Sequence, residues 1–284
     1  MYPRWFDPAL ADELRGVPLP ARRVNAGRGD GRHASRLPGS GVEFAQFRGY
    51  QPGDDPRRVD WKLLARSDRF YVRQADAETA LPLRLLLDTS RSMAHTEGGR
   101  SKFDAARQLV ATLALLAIRQ GDTPSLHLLP GTSVAPSRDS RQFERILHAL
   151  DGATPAGALP ADIERELAAT DGAGHGFLLA VTDAHDPEHR LLHAVERSGE
   201  DAAFLVLRTE REHDLAYGRS VLLEDLESGA TLTIDPDTLH ARTAAYARHR
   251  DAAMRLGVDW VAIDPGAPMM RPLREWLAQR AGRR

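Results

Sequence analysis

Residues 85–93 read Leu85-Leu-Leu-Asp88-Thr-Ser90-Arg-Ser92-Met, and this stretch is the clearest indication of the fold class. Its apolar run is typical of a strand that is buried on both faces. A carboxylate and two hydroxyls follow as soon as the run ends. Because ligand sites in an open parallel sheet gather outside the carboxyl ends of the strands, the stretch predicts a central strand with a polar site at its end.

Outward from this strand, apolar runs alternate with segments of helical spacing from Leu81 to the carboxyl end. The predicted strands are 83–87, 125–129, 176–181, 203–207 and 258–263. The predicted helices are 102–120, 140–150, 161–169, 187–198, 237–256 and 270–281. Two further strands, 220–223 and 231–234, flank a polar turn and predict a hairpin. The alternation predicts an α/β fold with a doubly wound, mostly parallel sheet that helices cover on both faces.

The first 80 residues are richer in Arg, Gly, Pro and Asp and have few apolar runs. They predict a short helix over 7–15, an extended or mobile segment over 16–41, and strands over 42–50 and 69–74. We therefore expect two parts: residues 1–80 as an extension with a small β-containing subdomain, and 81–284 as the α/β domain. Asp60, Trp61 and Arg66 are expected to pack as a buried anchor of that subdomain, and the alternative is that they line a binding pocket.

Charge and composition exclude several classes of protein. The chain has 284 residues, 40 acidic and 38 basic side chains, and no cysteine. A net charge of −2 argues against nucleic acid as the main ligand, and the lack of thiols excludes cysteine chemistry. No apolar run is long enough to span a membrane, and the first residues lack the apolar stretch of a signal peptide. We expect a cytoplasmic protein without a membrane span.

Oxygen ligands for a metal ion are grouped at the ends of two predicted strands. Asp88, Ser90 and Ser92 place three oxygens around one turning loop, and a second strand ends in Thr182-Asp183. Mg²⁺ prefers one or two carboxylates with hydroxyls and waters, so these residues predict a Mg²⁺ site. The alternative for Asp88-Thr-Ser is an Asx turn or a helix cap that only satisfies backbone amides.

The motif Asp88-Thr-Ser-Arg-Ser92 resembles the metal-ion-dependent adhesion site (MIDAS) of von Willebrand factor A domains. That resemblance implies a doubly wound α/β fold that binds Mg²⁺ at the top of its sheet. The complete adhesion site also has a threonine on a middle loop. The corresponding stretch here is Asp151-Gly-Ala-Thr154-Pro-Ala-Gly-Ala158-Leu-Pro160, so Thr154 is a candidate from a shifted position. The resemblance implies the ligand set Asp88, Ser90, Ser92, Asp183 and Thr154, with an incomplete site as the alternative.

A longer resemblance begins upstream. Residues 41–66 read Gly41-Val-Glu-Phe-Ala-Gln-Phe-Arg-Gly-Tyr50-Gln-Pro-Gly-Asp-Asp55-Pro-Arg-Arg-Val-Asp-Trp61-Lys-Leu-Leu-Ala-Arg66 and are similar to the signature of the bacterial family called domain of unknown function 58. The likeness continues through Glu78, Lys102-Phe-Asp104 and Glu224-Asp-Leu-Glu-Ser-Gly. Members are typically encoded beside MoxR-type AAA+ ATPases. The resemblance implies a non-enzymatic adaptor or assembly factor that works with such an ATPase.

Three functions are compatible with these residues. The favoured one is a protein-interaction module, not an enzyme, in which Mg²⁺ accepts a carboxylate from the ATPase or from a client protein. The second is a metal-dependent phosphoester hydrolase, with His127 or His185 as the general base. The third is a scaffold with a degenerate site. His185-Asp-Pro187-Glu-His189 has the spacing of an inverted zinc-peptidase motif, but Pro187 is expected to leave His185 outside the helix.

Overall fold

The structure is a computed structural model that describes residues 2–19, 33–51, 56, 59–67, 69–168, 176–186, 188–213, 221–224, 231–234 and 236–282. Its strands are β1 (His33–Gly49), β2 (Tyr71–Thr79), β3 (Pro82–Asp88), β4 (Thr96–Glu97), β5 (Arg100–Ser101), β6 (Thr123–Leu129), β7 (Ser133–Val134), β8 (Phe177–Thr182), β9 (Asp201–Leu207), β10 (Val221–Glu224), β11 (Thr231–Ile234) and β12 (Asp259–Ile263).

The chain also has helices, most of which lie between strands of the larger sheet. They are α1 (Ala9–Asp12), α2 (Trp61–Ser67), α3 (Lys102–Arg119), α4 (Gln142–Gly152), α5 (Ile163–Ala168), α6 (Arg190–Arg197), α7 (Glu210–His213), α8 (Pro236–Arg255) and α9 (Met270–Gly282). A short 3₁₀ helix covers Arg91–Ala94. Within the described residues, no helix is long and apolar enough to cross a membrane.

The central sheet has six strands in the order β12-β9-β8-β3-β6-β7. All neighbouring pairs are parallel except β6 and the two-residue edge strand β7. The predicted mostly parallel α/β sheet is therefore confirmed, and β3 lies between β8 and β6. Gly176 allows β8 to approach β3, because a Cβ at this position would lie 2.5 Å from the Pro82 carbonyl oxygen.

Side chains of β3 alternate between two apolar layers. Leu85 and Leu87 belong to one core cluster, which includes Leu109 and Leu113 of α3. Leu86 belongs to the opposite cluster, which includes residues of α5 and α6. This arrangement explains the unbroken apolar run of the sequence, since a strand covered by helices on both faces has no solvent-facing positions.

Residues 2–19 pack against the larger sheet-and-helix body. Phe6, Leu14 and Leu19 are buried in the same cluster as β3. Two glutamines bind the backbone of this segment: Gln108 lies within α3, and Gln120 follows its last residue. Gln108 accepts a hydrogen bond from the Asp7 amide at 2.8 Å, and Gln120 accepts one from the Leu19 amide at 3.0 Å. The boundary expected at residue 80 therefore does not separate residues 2–19 from the core of the α/β domain.

The strands β1 and β2 form a separate antiparallel ribbon, with His33 opposite Thr79 and Gly49 opposite Tyr71. Strand β1 begins earlier than expected, since residues 33–41 were predicted to be extended but not paired. Several register shifts interrupt the ladder, which allows a stretch with Pro38 to pair. Residues 20–32 of the predicted extended segment lie outside the described residues.

The expectation that Trp61 is a buried anchor is wrong. Trp61 begins α2 and is 61% exposed. Val59 and Val72 are buried instead and form an isolated antiparallel bridge. Asp60 accepts hydrogen bonds from the amides of Lys62 and Leu63 at 3.0 and 2.9 Å, so its carboxylate caps the first turn of α2. Arg66 is exposed as well, and residues 52–55 lie outside the described part of the chain.

The smaller hairpin predicted near residue 225 is confirmed. Strand β10 pairs antiparallel with β11, and Val221 lies opposite Ile234. Its turn, residues 225–230, is not among the described residues. The structure adds a short hairpin of β4 and β5, which leads directly into α3. The Ser101 hydroxyl caps that helix by accepting a hydrogen bond from the Asp104 amide at 2.9 Å.

Candidate functional site

The candidate site lies at the carboxyl ends of β3 and β8. Asp88 is the last residue of β3, and Thr182 is the last residue of β8. Because the two strands are parallel neighbours, their ends meet at the same edge of the sheet. The structure therefore places the strand ends that carry Asp88 and Asp183 next to each other.

Asp88 is buried, and both of its carboxylate oxygens accept hydrogen bonds. The Ser90 amide donates to Oδ1 at 2.8 Å, and the Thr182 hydroxyl donates to Oδ2 at 2.6 Å. The hydroxyls of Ser90 and Ser92 lie 3.0 Å apart and are also buried. The structure thus brings Asp88, Ser90 and Ser92 onto one tight loop, as their spacing predicts.

Asp183 is neutralised by a lysine. The Lys102 ammonium donates to Asp183 Oδ2 at 3.1 Å and to Glu212 Oε1 at 2.6 Å. Glu212 is held in turn by the Thr209 amide, which donates to Oε2 at 2.9 Å. The side chains of Lys102 and Asp183 are both buried, so this pair lies inside the crevice.

Sequence reasoning missed the role of Lys102 and Glu212 in the site. Lysine occurs only at positions 62 and 102, while arginine supplies the remaining basic side chains. The rarity of lysine does not by itself distinguish the buried Lys102 from the exposed Lys62. Nothing in the local sequence marks Glu212, because α7 has only four residues and lies 110 residues from Lys102.

The charges of the two aspartates are balanced differently. Burial raises the pKa of Asp88 to about 7, and the nearby Asp183 carboxylate adds to this rise, although hydrogen bonds from Ser90 and Thr182 oppose it. Burial would also raise the pKa of Asp183, but the Lys102 ammonium outweighs it and holds that pKa below its ordinary value.

The pKa of Lys102 is shifted in the direction opposite to that of Asp183. Burial would lower the pKa of its ammonium, but Asp183 and Glu212 outweigh burial and raise it. In the part of the chain that the structure describes, no lysine or arginine pairs with Asp88 in the same way. The site therefore contains a paired carboxylate, Asp183, beside one whose negative charge has no internal counterion, Asp88.

The middle loop contacts the Asp88 loop through its backbone. The Ala156 amide donates to the Thr89 carbonyl at 2.8 Å, and the Arg91 amide donates to the Gly157 carbonyl at 2.9 Å. Thr154 is exposed and lines a neighbouring cavity of about 540 Å³ together with Thr89. Among the described residues, the structure gives Thr154 no hydrogen bond to Asp88. Thr154 thus lies beside the site, on the cavity side of the loop.

The two histidines considered as general bases lie in different surroundings. His127 is buried in β6 opposite Leu86, and burial lowers its pKa to about 4. Neither of its ring nitrogens has a hydrogen-bond partner among the residues that the structure describes. His185 is exposed, and its amide donates to Asp183 Oδ1 at 3.1 Å. His189 precedes α6, which begins at Arg190 and not at 187 as predicted, so His185 and His189 both lie outside this helix.

The donor set determines which metal the site fits. Asp88 offers one carboxylate, and Ser90 and Ser92 offer two hydroxyls, which are hard oxygen ligands of the kind that Mg²⁺ accepts with bound waters. No group of three or more histidine and acidic side chains is arranged to hold a metal in the described ranges. The residues fit a weak, partly hydrated Mg²⁺ site, since that ion is usually held by only one or two carboxylates.

Comparison with known proteins gives a family. The family model described as "Protein of unknown function DUF58" matches residues 46–254. Uncharacterized proteins of Mycobacterium bovis and Mycobacterium tuberculosis are 30% identical over 286 residues, which covers 96% of this chain and 88% of each relative.

Solved structures give only weak likenesses. The pilus adhesin SpaC of Lactobacillus rhamnosus GG matches with a TM-score of 0.34 and 14% identity, over 72% of this chain and 30% of that one. An uncharacterized membrane spanning protein of Vibrio fischeri matches with a TM-score of 0.22 and 13% identity, over 70% of this chain and 98% of that one. Neither likeness supports an argument about fold or function.

Proposed function

The chain belongs to the family described as Protein of unknown function DUF58, and from this premise we propose that it is a metal-dependent protein-interaction module. In this proposal Asp88, Ser90 and Ser92 hold Mg²⁺ directly. Asp183 supports the site from a greater distance, because its carboxylate is already paired with Lys102. The resemblance to von Willebrand factor A domains supports the same assignment, since β3 is central, parallel and ends in Asp88-x-Ser90-x-Ser92.

One observation carries the proposal. Asp88 is 2% exposed, and no cation pairs with it among the described residues, although Lys102 neutralises Asp183 close by. A buried carboxylate without a counterion destabilises the folded state unless a cation binds or a proton is taken up. A purely structural turn would not require this arrangement, because a serine or asparagine accepts the same amide hydrogen bond without a buried charge.

The arrangement suits binding better than hydrolysis. When bound, Mg²⁺ would supply an exchangeable coordination position that accepts a carboxylate from a partner. A hydrolase would also need a general base close to the reacting water. His127 is buried in β6 near Arg84, so exposed His185 is the remaining candidate of the two. The partner class that the family resemblance implies is a MoxR-type AAA+ ATPase, or a client protein that presents a carboxylate.

Mg²⁺ should stabilise the folded chain by mass action. We expect saturating Mg²⁺ to raise the free energy of unfolding by about 1–3 kcal/mol, because the ion binds the assembled loop and not the unfolded chain. The measurement is a thermal or urea unfolding series in EDTA and in millimolar Mg²⁺. Asp88→Ala should abolish the increase, and an unchanged melting temperature in the wild type would favour the degenerate scaffold.

A matched control separates the Asp88 site from general ion effects. Asp139 is an exposed aspartate that also accepts backbone and arginine hydrogen bonds, but it lies far along the chain at the start of α4. Asp139→Ala should leave the Mg²⁺-dependent increase intact. An equal loss in both variants would show that Mg²⁺ acts through general screening and would contradict the assignment.

Partner binding should depend on the same carboxylate. We expect Asp88→Ala to weaken binding to a nucleotide-free MoxR-type AAA+ ATPase by at least tenfold, and EDTA to weaken wild-type binding to the same extent. The two losses should not add, because both remove one contact. Isothermal titration calorimetry measures this, and the nucleotide-free ATPase ensures that chelation acts on this chain. Full binding by Asp88→Ala in EDTA would disprove metal bridging.

A further inference from the structure

Exposed aromatic side chains are concentrated at one end of the β1–β2 ribbon. Phe47 is 42% exposed, Tyr50 39%, Trp61 61% and Phe70 53%. These four residues, which we call the aromatic tip, lie at the end of the ribbon opposite His33 and Thr79. The other large exposed hydrophobic side chains of the described residues are Tyr2 near the amino end and Met254 and Leu256 at the end of α8.

The aromatic tip is one connected structure. The Tyr50 amide donates to the Phe70 carbonyl at 2.9 Å, and the ring centroids of these two residues lie 6.1 Å apart. The Asp60 amide donates to the Tyr71 carbonyl at 2.9 Å, which places Trp61 beside the same strand end. The tip is therefore assembled from three chain segments, and the buried pair Val59 and Val72 holds them together.

Its aromatic rings lie on both faces of the ribbon. Gly49 lies opposite Tyr71, and Phe47 is two residues before Gly49, so Phe47 and Tyr71 share a face of the ribbon. The centroids of their rings lie 6.5 Å apart. Tyr50 follows Gly49 and Phe70 precedes Tyr71, so each lies one position beyond the end of its strand. The alternation of side chains along a strand places these two rings on the opposite face. A single flat protein surface covers only one face of a ribbon. A fluid interface covers both faces at once, because it closes around whatever is inserted.

The charge of this region suits an anionic surface. Residues 47–72 carry six basic and four acidic side chains, in a chain whose net charge is −2. Lys62, Arg66 and Arg69 are exposed. The Asp60 carboxylate is engaged with the first amides of α2. Aromatic rings with adjacent lysine and arginine are typical of segments that lie in the headgroup region of a bilayer.

We propose that the aromatic tip is a peripheral membrane-binding surface, which places Phe47, Tyr50, Trp61 and Phe70 in the headgroup region of a bilayer that contains anionic lipid. Lys62, Arg66 and Arg69 then contact the anionic headgroups. This inference goes beyond the proposed metal-dependent function and does not depend on it, since the tip lies on the ribbon and the Asp88 site on the sheet. The attachment is interfacial and involves no spanning segment.

The test is partition of the full chain onto vesicles of phosphatidylcholine, with and without about one third phosphatidylglycerol. We expect clear partition onto the anionic vesicles and at least fivefold weaker partition onto neutral ones. Trp61→Ala and Phe70→Ala should each weaken partition onto anionic vesicles by about tenfold, which corresponds to the loss of one large aromatic from an interface. Both residues are exposed, so unfolding midpoints should stay close to the wild-type value.

The matched control is Met254→Ala, which removes a 55% exposed apolar side chain from α8. It should leave partition unchanged. Absence of partition onto either vesicle would overturn the proposal, as would equal partition by wild type, Trp61→Ala and Phe70→Ala. Concentration-dependent self-association that both tip variants abolish, without any partition, would assign the tip to a second copy of the chain instead.

Discussion

Replacing Arg280 with leucine should lower the free energy of unfolding by about 3–5 kcal/mol, the range expected when one partner of a buried ion pair is removed. The Arg280 side chain is 1% exposed and pairs with two carboxylates, those of Asp201 and Asp259. Its guanidinium also lies 4.3 Å from the centroid of the Phe177 ring. Phe177, Asp201 and Asp259 begin β8, β9 and β12, so one side chain of α9 connects the amino ends of three neighbouring strands. Urea unfolding of the wild type and variant gives the difference.

A double replacement of the acids tests the cause. If the loss comes from buried carboxylates that have lost their cation, then Asp201→Asn with Asp259→Asn should recover most of it in the Arg280→Leu background. Arg271→Leu is the matched control, because Arg271 lies on the same helix and pairs with Glu275 at 3.0 Å in an exposed position. We expect it to cost less than about 0.5 kcal/mol. A similar cost for Arg271→Leu would assign the effect to α9 itself.

The Arg280 cluster also shows where sequence reasoning reached its limit. The pattern predicted all five parallel strands and the helix that contains Arg280, because apolar periodicity is a local property. It did not predict which arginine meets which aspartate, since Arg280 and Asp201 are 79 residues apart. An aspartate at the first position of each of two apolar strands, Asp201 in β9 and Asp259 in β12, was the available signal. Such a position requires a partner wherever the strand starts are buried.

The candidate site also combines residues whose grouping was predictable from sequence with residues that only the folded structure brings together. Asp88, Ser90 and Ser92 are neighbours in sequence, so their grouping on one loop was predictable from spacing. The adjacency of Asp183 followed from parallel pairing. Lys102 and Glu212 reach the crevice from α3 and α7, and only the packing of those helices against the sheet brings them together.

Trp61 was misassigned for a different reason. Large aromatics are usually buried, and its neighbours Asp60 and Arg66 suggested an ion-paired core. The Asp60 carboxylate instead caps α2, and the valines at 59 and 72 occupy the interior of this small unit. A ribbon with one short helix has too little interior to bury an indole as well.

Asp88→Asn should raise the free energy of unfolding of the metal-free chain by about 2–4 kcal/mol at neutral and alkaline pH. The pKa of Asp88 in the folded state is raised from 3.8 to about 7 by burial and by the Asp183 carboxylate. Between these two values the folded chain holds a proton that the unfolded chain has released. The contribution of Asp88 to the free energy of unfolding is therefore greatest below pH 4, falls as pH rises to about 7, and stays low above it.

Asparagine removes the charge and keeps the contacts, since its oxygen accepts from the Ser90 amide and its amide donates to the Thr182 hydroxyl. The difference in stability between Asp88→Asn and wild type, measured in EDTA by urea unfolding at pH 4 to 8, should grow with pH and level off near pH 8. At pH 8, Mg²⁺ should stabilise the wild type and leave the stability of the variant unchanged. The difference in the free energy of unfolding between the two proteins should therefore become smaller. A buried charge that lowers stability until a cation binds is what separates a ligand site from a structural turn. A variant less stable than wild type at every pH would show that the carboxylate serves the fold alone.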